Sequence, residues 1–410
     1  MNLNKETLRL NLFFAGVVLS MIGFLWSRAF LSIGVITLCA NGILFSNIRE
    51  QWDRFRSNPF LTGLTLLFLI PFISGLWSSD LTEWWIRCQQ KIPLLLLPFS
   101  LAVQPGLTRK HLLWMKLLWM ALMVLGSVWS MVHYIQEQKL FYHLYLRSKV
   151  LPTLAGNDHI RFSIGVVIAL LFWLWIEQQK QINDRRLLWL MRALMLWLIV
   201  FLHIMGVKTG LLGLYGIVFP AMIWNGFRAG YKWQMAFLLI IILSLPFFAY
   251  HLLPTFKARV HYVLYDKNLW QKEQFSGQES DGNRVLSIRS GWYVWQKDLI
   301  TGVGYGDVRE EASLWYDDYA PQVAKADRFL PLNQWLMMGS GAGILSAFVF
   351  TLIIFLPFAD KKWWKNAPAL GWVLFMNLVF LYESTLEDQL GVFVYTFFTL
   401  WWYLETRIES

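Results

Sequence analysis

MAFLLIIILSLPFFAYHLL, residues 235–253, runs for nineteen residues without one Asp, Glu, Lys or Arg. At a rise of about 1.5 Å per residue, a helix of that length crosses roughly 30 Å of hydrocarbon, and a helix satisfies its own backbone polar groups there. The segment after it is opposite in character. Residues 254–332 carry too many charges to cross a bilayer, too many Trp and Tyr for a disordered linker, and no Pro/Ser-rich low complexity. A spanning helix that delivers the chain into a large folded loop is the unit from which the remaining sequence is read.

Working outward, comparable apolar runs lie near 10–26, 29–46, 59–77, 92–104, 112–135, 161–177, 187–205 and 209–226 before it, and near 333–357, 367–383 and 388–405 after the loop. Together they make twelve expected transmembrane helices. Hydrophobic residues are 57% of the chain and charged residues 15%, against about 25% charged in a soluble protein. The expected fold is therefore all-α and integral to a membrane: helices one to nine in 1–253, a helical loop domain in 254–332, and helices ten to twelve in 333–410. The fourth run is short and begins at Pro93 after an amphipathic stretch, Trp84 to Ile86, so a re-entrant or broken segment is expected there. Trp26, Trp77, Trp84, Trp85, Trp363, Trp364, Trp401 and Trp402 fall near span ends and read as interfacial anchors. Lys5 and Arg9 precede the first run with no small-residue cleavage site, so that helix is expected to be retained.

A net charge of +10 in a soluble protein would point to nucleic acid. Here Lys and Arg sit in short clusters between apolar runs, where they set topology, so membrane lipids are the expected surroundings and nucleic acid is not an expected partner. Arg49, Arg54, Arg56, Arg109, Lys110, Lys180, Arg185, Arg186, Arg228, Lys232, Lys361, Lys362 and Lys365 crowd the connections on the side of the N-terminus. Both termini are accordingly expected in the cytoplasm, and the long connections 137–160 and 254–332 outside it. No fixed-period repeat supports an inverted-repeat transporter. Cys39 lies in an apolar run and Cys88 in a polar connection, so neither a disulfide nor a Cys-ligated zinc site is expected.

Within the large loop, SDGNRVLSIRSGWYVWQKDLITGVGYGD (280–307) places Arg284, Ile288, Trp292 and Trp295 at helical spacing. Gly302, Gly304 and Gly306 follow no strand and lack the dinucleotide-binding spacing, so they read as a flexible end to that helix. Arg161 and Lys208 stand at span ends on the same expected side as Arg284 and Arg289. A lone cation in such a place ordinarily snorkels to headgroups. Four converging on one side make a candidate anion site, and Arg matches phosphate oxygens bidentately. Candidates for acid/base work are His159, His261, Asp281, Asp307, Glu310 and Glu311, although His143, His159 and His261 are each more often structural. No HExxH, GxSxG or paired Cys/His spacing supports a metal site or a serine hydrolase.

Taken together, SDGNRVLSIRSGW (280–292), TGVGYGD (301–307), FLPLNQWLMMGSGAGIL (329–345), HIRFS (159–163) and STLEDQLGVF (384–393) resemble the O-antigen ligase and polymerase family. The likeness is greatest to the branch common in Bacteroidetes-type bacteria and covers most of the chain after residue 90. It implies a metal-independent membrane glycosyltransferase of the GT-C type, using no nucleotide sugar and no cofactor. Such an enzyme moves a glycan from undecaprenyl diphosphate to a lipid A-core or similar acceptor at the periplasmic face of the inner membrane. By position Arg284 matches the family's loop arginine and Arg161 the branch's arginine in HIRFS. Lys208 stands where the family more often has Arg, keeping the charge and losing the fork. Family ligases carry a His-Asn pair before the tenth span, the His activating the acceptor hydroxyl; here the residues are Leu332 and Asn333. Leucine takes no proton. His159 or a loop carboxylate as base, a dissociative reaction needing little base, and a polymerase or another acceptor all remain open. Outside this family, a secondary transporter or polysaccharide exporter would require only many helices and buried charge, and a scaffold whose loop binds a partner would require less.

Overall fold

The computed structural model describes residues 2–154, 156, 158–275 and 280–408, and all regular structure among them is helical. The first part of the chain forms α1 (Asn2–Trp26), α2 (Arg28–Leu44), α3 (Ile48–Arg56), α4 (Pro59–Ile73), α5 (Leu81–Ser100), α6 (Arg109–Gln136) and α7 (Gln138–Tyr145). The middle forms α8 (His159–Gln178), α9 (Arg185–Met205), α10 (Lys208–Gly213), α11 (Phe219–Arg228), α12 (Lys232–Leu252), α13 (Pro254–Gln271), α14 (Ser280–Lys297) and α15 (Val308–Tyr319). The last part forms α16 (Gln334–Ala359), α17 (Lys361–Trp364), α18 (Ala367–Phe380) and α19 (Gln389–Ile408).

Among the described residues, eight helices are long and apolar enough to cross a membrane: Lys5–Trp26, Pro59–Leu76, α6, α8, α9, the continuous Lys208–Arg228, α12 and α16. A ninth arises if α2 and α3, bent by 106°, form one broken span. The helix α18 is apolar but short, α5 carries Glu83, Arg87 and Lys91, and α19 is rich in Trp, Tyr and Thr. The fourth apolar run needs correction. Residues 81–100 form one helix with Pro93 inside it, and its start is fixed by Asp80, whose carboxylate accepts from the Thr82 and Glu83 N–H groups at 2.9 Å each. Pro93 costs one backbone bond, which a packed bundle tolerates. Cys88 therefore lies buried in a helix and not in a polar connection.

The centre of the bundle is α8, whose residues from Arg161 to Ile176 are all buried except Trp173. Lipid tails are as apolar as leucine, so close approach rather than water exclusion holds such helices together. Gly165 accordingly packs on Met123 and Trp119, and Trp119 Nε1 donates to the Gly165 carbonyl at 3.0 Å. By contrast, α12 buries only Ile242 and Ala249. Of the expected interfacial tryptophans, Trp26, Trp77, Trp85 and Trp364 are exposed, whereas Trp363, Trp401 and Trp402 are core residues. The last two are buried because α19 packs against α5, α8 and α18 and presents its rings inward.

Helices α13, α14 and α15 build a polar lobe with a small core of its own around Leu286, Trp315, Tyr316 and Val323. Its attachment explains the glycine motif. The Val303 N–H donates to the Ser340 carbonyl, and the Ile344 N–H to the Leu299 carbonyl, at 2.8 Å each. There α16 breaks at Ala342–Gly343, and Gly343 takes φ 75°. A Cβ at Gly343 would lie 1.8 Å from the Ile300 carbonyl oxygen, so only glycine fits. Asp307 closes the joint by accepting from the Ser79 and Asp80 N–H groups at 2.7 and 2.8 Å. What reads in sequence as a flexible helix end is a packed joint between lobe and bundle.

Candidate functional site

Helix α9 ends at Gly206, left-handed at φ 61°; Val207 is extended, and Lys208 opens the next helix. The lobe folds back over this corner. A Cβ at Gly206 would meet Arg259 Cγ at 3.4 Å, an ordinary packing distance, so the left-handed φ rather than crowding is what suits glycine where α13 packs. Asp158 caps the start of α8 by accepting from the Arg161 N–H at 3.0 Å. Buried Asp266 caps α14 by accepting from the Asp281 and Gly282 N–H groups at 2.7 and 3.1 Å. Together with the connection carrying Glu383, these segments enclose a cavity of about 660 Å³.

Five Lys or Arg residues line that cavity, Arg147, Lys149, Lys208, Arg259 and Arg284, against two carboxylates, Asp327 and Glu383. A ladder of alternating charge fixes part of the wall. Asp388 pairs with Arg161; Glu383 lies 3.9 Å from Arg161 and 2.7 Å from Arg284; Asp281 lies 3.4 Å from Arg284 and pairs with Lys208. Arg259 is different. It is 8% exposed, and its Nε and Nη1 are buried with no hydrogen-bond partner among the described residues. Its contact is cation–π, 5.4 Å from the Tyr262 ring centre. Burial, the largest influence, pushes the guanidinium pKa down from its ordinary value, opposed by Tyr262, Tyr145 and Asp281. Arginine stays protonated regardless, so a largely desolvated cation stands in the cavity wall, with Nε and Nη1 closed off from the open space.

Four of the residues singled out in sequence come together here. His159, Lys208 and Arg284 line the cavity, and Arg161 stands behind its wall as the far end of the ladder. Arg289 does not join them. It lies on another face of α14, 48% exposed, with Glu273 at 3.5 Å. Asn333 is the N-cap of α16, accepting from the Leu336 N–H at 2.9 Å and donating to the Leu381 carbonyl at 2.8 Å, while Leu332 lines the cavity. Asp281 belongs to the ladder, Asp307 to the lobe joint, Glu311 pairs with Lys297, and His261 bonds the Tyr250 hydroxyl at 3.0 Å. Arg259, Arg147, Lys149 and the carboxylates of Glu383 and Asp388 escape the sequence reading. For the two carboxylates a signal existed, since their connection carries acid and no base on the expected side of four cations. For Arg259 none did.

Next to the cavity, an apolar groove of about 490 Å³ runs between α9, α11 and α12, lined by residues such as Leu196, Ile199, His203, Phe219, Leu245 and Leu253. His203 and Leu253 precede Val207 and Arg259 of the cavity by about one or two helical turns in the same two segments. His203 Nε2 meets the Tyr215 hydroxyl at 2.7 Å, in a π-helical turn, Leu214–Val218.

Fold and site together define an all-α chain with the apolar helices of a multi-pass membrane protein and a cation-rich cavity at one end of the bundle. No protein-family model matches the sequence, and no curated protein is significantly similar to it.

Proposed function

We propose that this chain is an inner-membrane glycosyltransferase of the O-antigen ligase kind, moving a glycan from undecaprenyl diphosphate to a lipid A-core or similar acceptor. On this proposal α2, α5, α18 and α19 complete twelve membrane segments, both termini are cytoplasmic, and the 254–332 lobe is periplasmic. The charges of α5 and α19 are compatible with lipid because they are internally compensated: Arg87 pairs with Glu83, Lys91 with Glu387 at 2.6 Å, and Glu405 with Lys116 at 2.6 Å.

The observation that carries the proposal is the cavity lining, in which Arg147, Lys149, Lys208, Arg284 and the largely buried Arg259 outnumber the carboxylates of Asp327 and Glu383. The neighbouring apolar groove suits a lipid-linked anion better than a free one. In the reaction, an acceptor hydroxyl oxygen attacks the anomeric carbon while the bond from that carbon to the diphosphate oxygen breaks. The electron pair leaves on the diphosphate, where Arg259, Arg284 and Lys208 stabilise the growing charge; such preorganised stabilisation is usually the largest catalytic contribution. The hydroxyl proton passes to His159 or to a phosphate oxygen. With Leu332 at the cavity, three variants of this reading stand side by side: His159 or a loop carboxylate as base, a dissociative reaction needing little base, and a polymerase or another acceptor.

The test is transfer from a lipid-diphosphate-linked glycan by the full chain in proteoliposomes without ion gradients. Product formation that falls on the order of 10²-fold or more in Arg284→Ala supports the proposal. Movement of the donor across the bilayer with no transfer would replace it with a transporter. In cells lacking the chain, loss of all long chains on the core means a ligase, and a core bearing one repeat unit means a polymerase.

A further inference from the structure

Helix α14 has two working faces. Asn283 and Arg284 look into the cationic cavity, while Leu286, Arg289, Tyr293 and Gln296, at three- and four-residue spacing, look into a separate groove of about 500 Å³ shared with α15. We infer that this second groove is a binding surface for the glycan chain, an inference that rests on the glycan-handling function proposed above.

The lining chemistry selects the occupant. Trp315 forms part of the floor, with Tyr319 stacked on it at 5.4 Å between ring centres and 20° between planes. Tyr319 is 65% exposed and Trp292 49% exposed, large rings left open on a polar lobe whose own core is closed beneath them. The amides of Gln296 and Gln322 border the rings, and Arg289 and Glu273 sit at one end. A pyranose ring is amphipathic in the matching sense: its C–H face suits the electron-rich face of an aromatic ring, and its rim of hydroxyls suits amides that both donate and accept. A lipid tail would leave the amides and the ion pair unsatisfied, and the apolar groove between α9 and α12 shows what a tail-compatible lining looks like in this same chain. An anionic headgroup would find the one lining arginine already 3.5 Å from a carboxylate. A sugar polymer uses every element of the lining, and α14 joins the two sites, so a glycan held in the groove would lie against the helix that also carries Arg284.

The experiment uses the full chain in nanodiscs, titrated with glycans of one and of six or more sugar units released by mild acid from the lipid-linked pool of the native cells. Binding of the longer glycan should weaken about tenfold in Trp292→Ala and in Tyr319→Ala, the change that a loss of about 1.4 kcal/mol produces. Binding should be retained in Trp292→Phe, which keeps a ring, and in Arg284→Ala, which alters only the other site. Equal affinity in wild type and both alanine variants, or no binding of the longer glycan, overturns the inference. Quenching of Trp292 fluorescence by brominated lipids also overturns it, by placing that ring in the headgroup layer. Transfer measured in parallel with Arg259→Ala separates the two claims. Transfer that is lost in Arg259→Ala, together with longer-glycan affinity unchanged by Trp292→Ala and Tyr319→Ala, removes the groove alone, whereas groove binding without any transfer removes the enzyme and leaves a glycan-binding membrane protein.

Discussion

Lys116 and Arg259 are both cations withdrawn from water, and they are built in opposite ways. Lys116 is 0% exposed and its Nζ meets Glu405 at 2.6 Å, while the same carboxylate accepts from Trp175 Nε1 at 2.8 Å. Charge is matched one to one inside solid packing. Arg259 is 8% exposed, faces a cavity, and has an aromatic ring where Lys116 has a carboxylate. A buried cation with its own counter-ion is architecture: Lys116 finds its anion within the fold. A buried cation that lines an open space without an ion-pair partner of its own leaves room for an anion from elsewhere.

The largest expected effect breaks the first half of this contrast. Lys116→Met strands Glu405 as a buried unpaired charge and should cost about 3–5 kcal/mol of stability, the range for removing one partner of a buried pair. Adding Glu405→Gln removes the stranded charge, keeps an acceptor for Trp175, and should recover most of the loss. Thermal unfolding of the two variants in detergent decides the matter: a single variant as stable as wild type would show that the pair carries no structural weight.

Next in size is the mirror-image substitution. Arg259→Ala should leave stability nearly unchanged, because it removes a desolvated charge that has no ion-pair partner and only the more distant Asp281 to offset it, yet transfer should fall on the order of 10²-fold. Arg259→Lys keeps the charge but loses the planar fork and should fall between the two. Stability lost in step with activity would make Arg259 another Lys116.

The contrast also marks what can be read in a sequence. Long apolar runs around a polar, aromatic loop identify a helical membrane protein, because lipid imposes length and hydropathy locally. Arg161, Lys208, Arg284 and Arg289 were legible as a group because span order puts two span ends and the large loop on one side, but Arg289 falls on another face of α14, which span order does not decide. Arg259 was not, since its position depends on α13 folding back over Gly206, a contact between segments more than fifty residues apart. Asn333 was legible as a residue and not as a role, since capping is decided by the backbone directions around it. The start of α5 was open to a closer reading: Asp80 followed by Glu83 is a helix-start signature, and Pro93 drew attention from it.

The smallest effect tests the residue that stands between the two kinds. Asn333 neither pairs charge nor lines the cavity, but its side chain caps α16 and holds the Leu381 carbonyl, two residues before Glu383. Asn333→Ala should cost about 1 kcal/mol, the usual loss of an N-cap. Any further loss of transfer should come through misplacement of Glu383, the carboxylate between Arg161 and Arg284. Asn333→Ser keeps an oxygen for the Leu336 N–H and should restore stability while leaving Leu381 untethered. If Asn333→Ser is stable and transfers normally, the cap is all that Asn333 supplies. If it is stable and slow with an unchanged KM for the donor, the tether to Leu381 sets the ladder's geometry in the transition state. A stable serine variant as inactive as Arg284→Ala would instead put Asn333 among the groups that touch the reacting atoms.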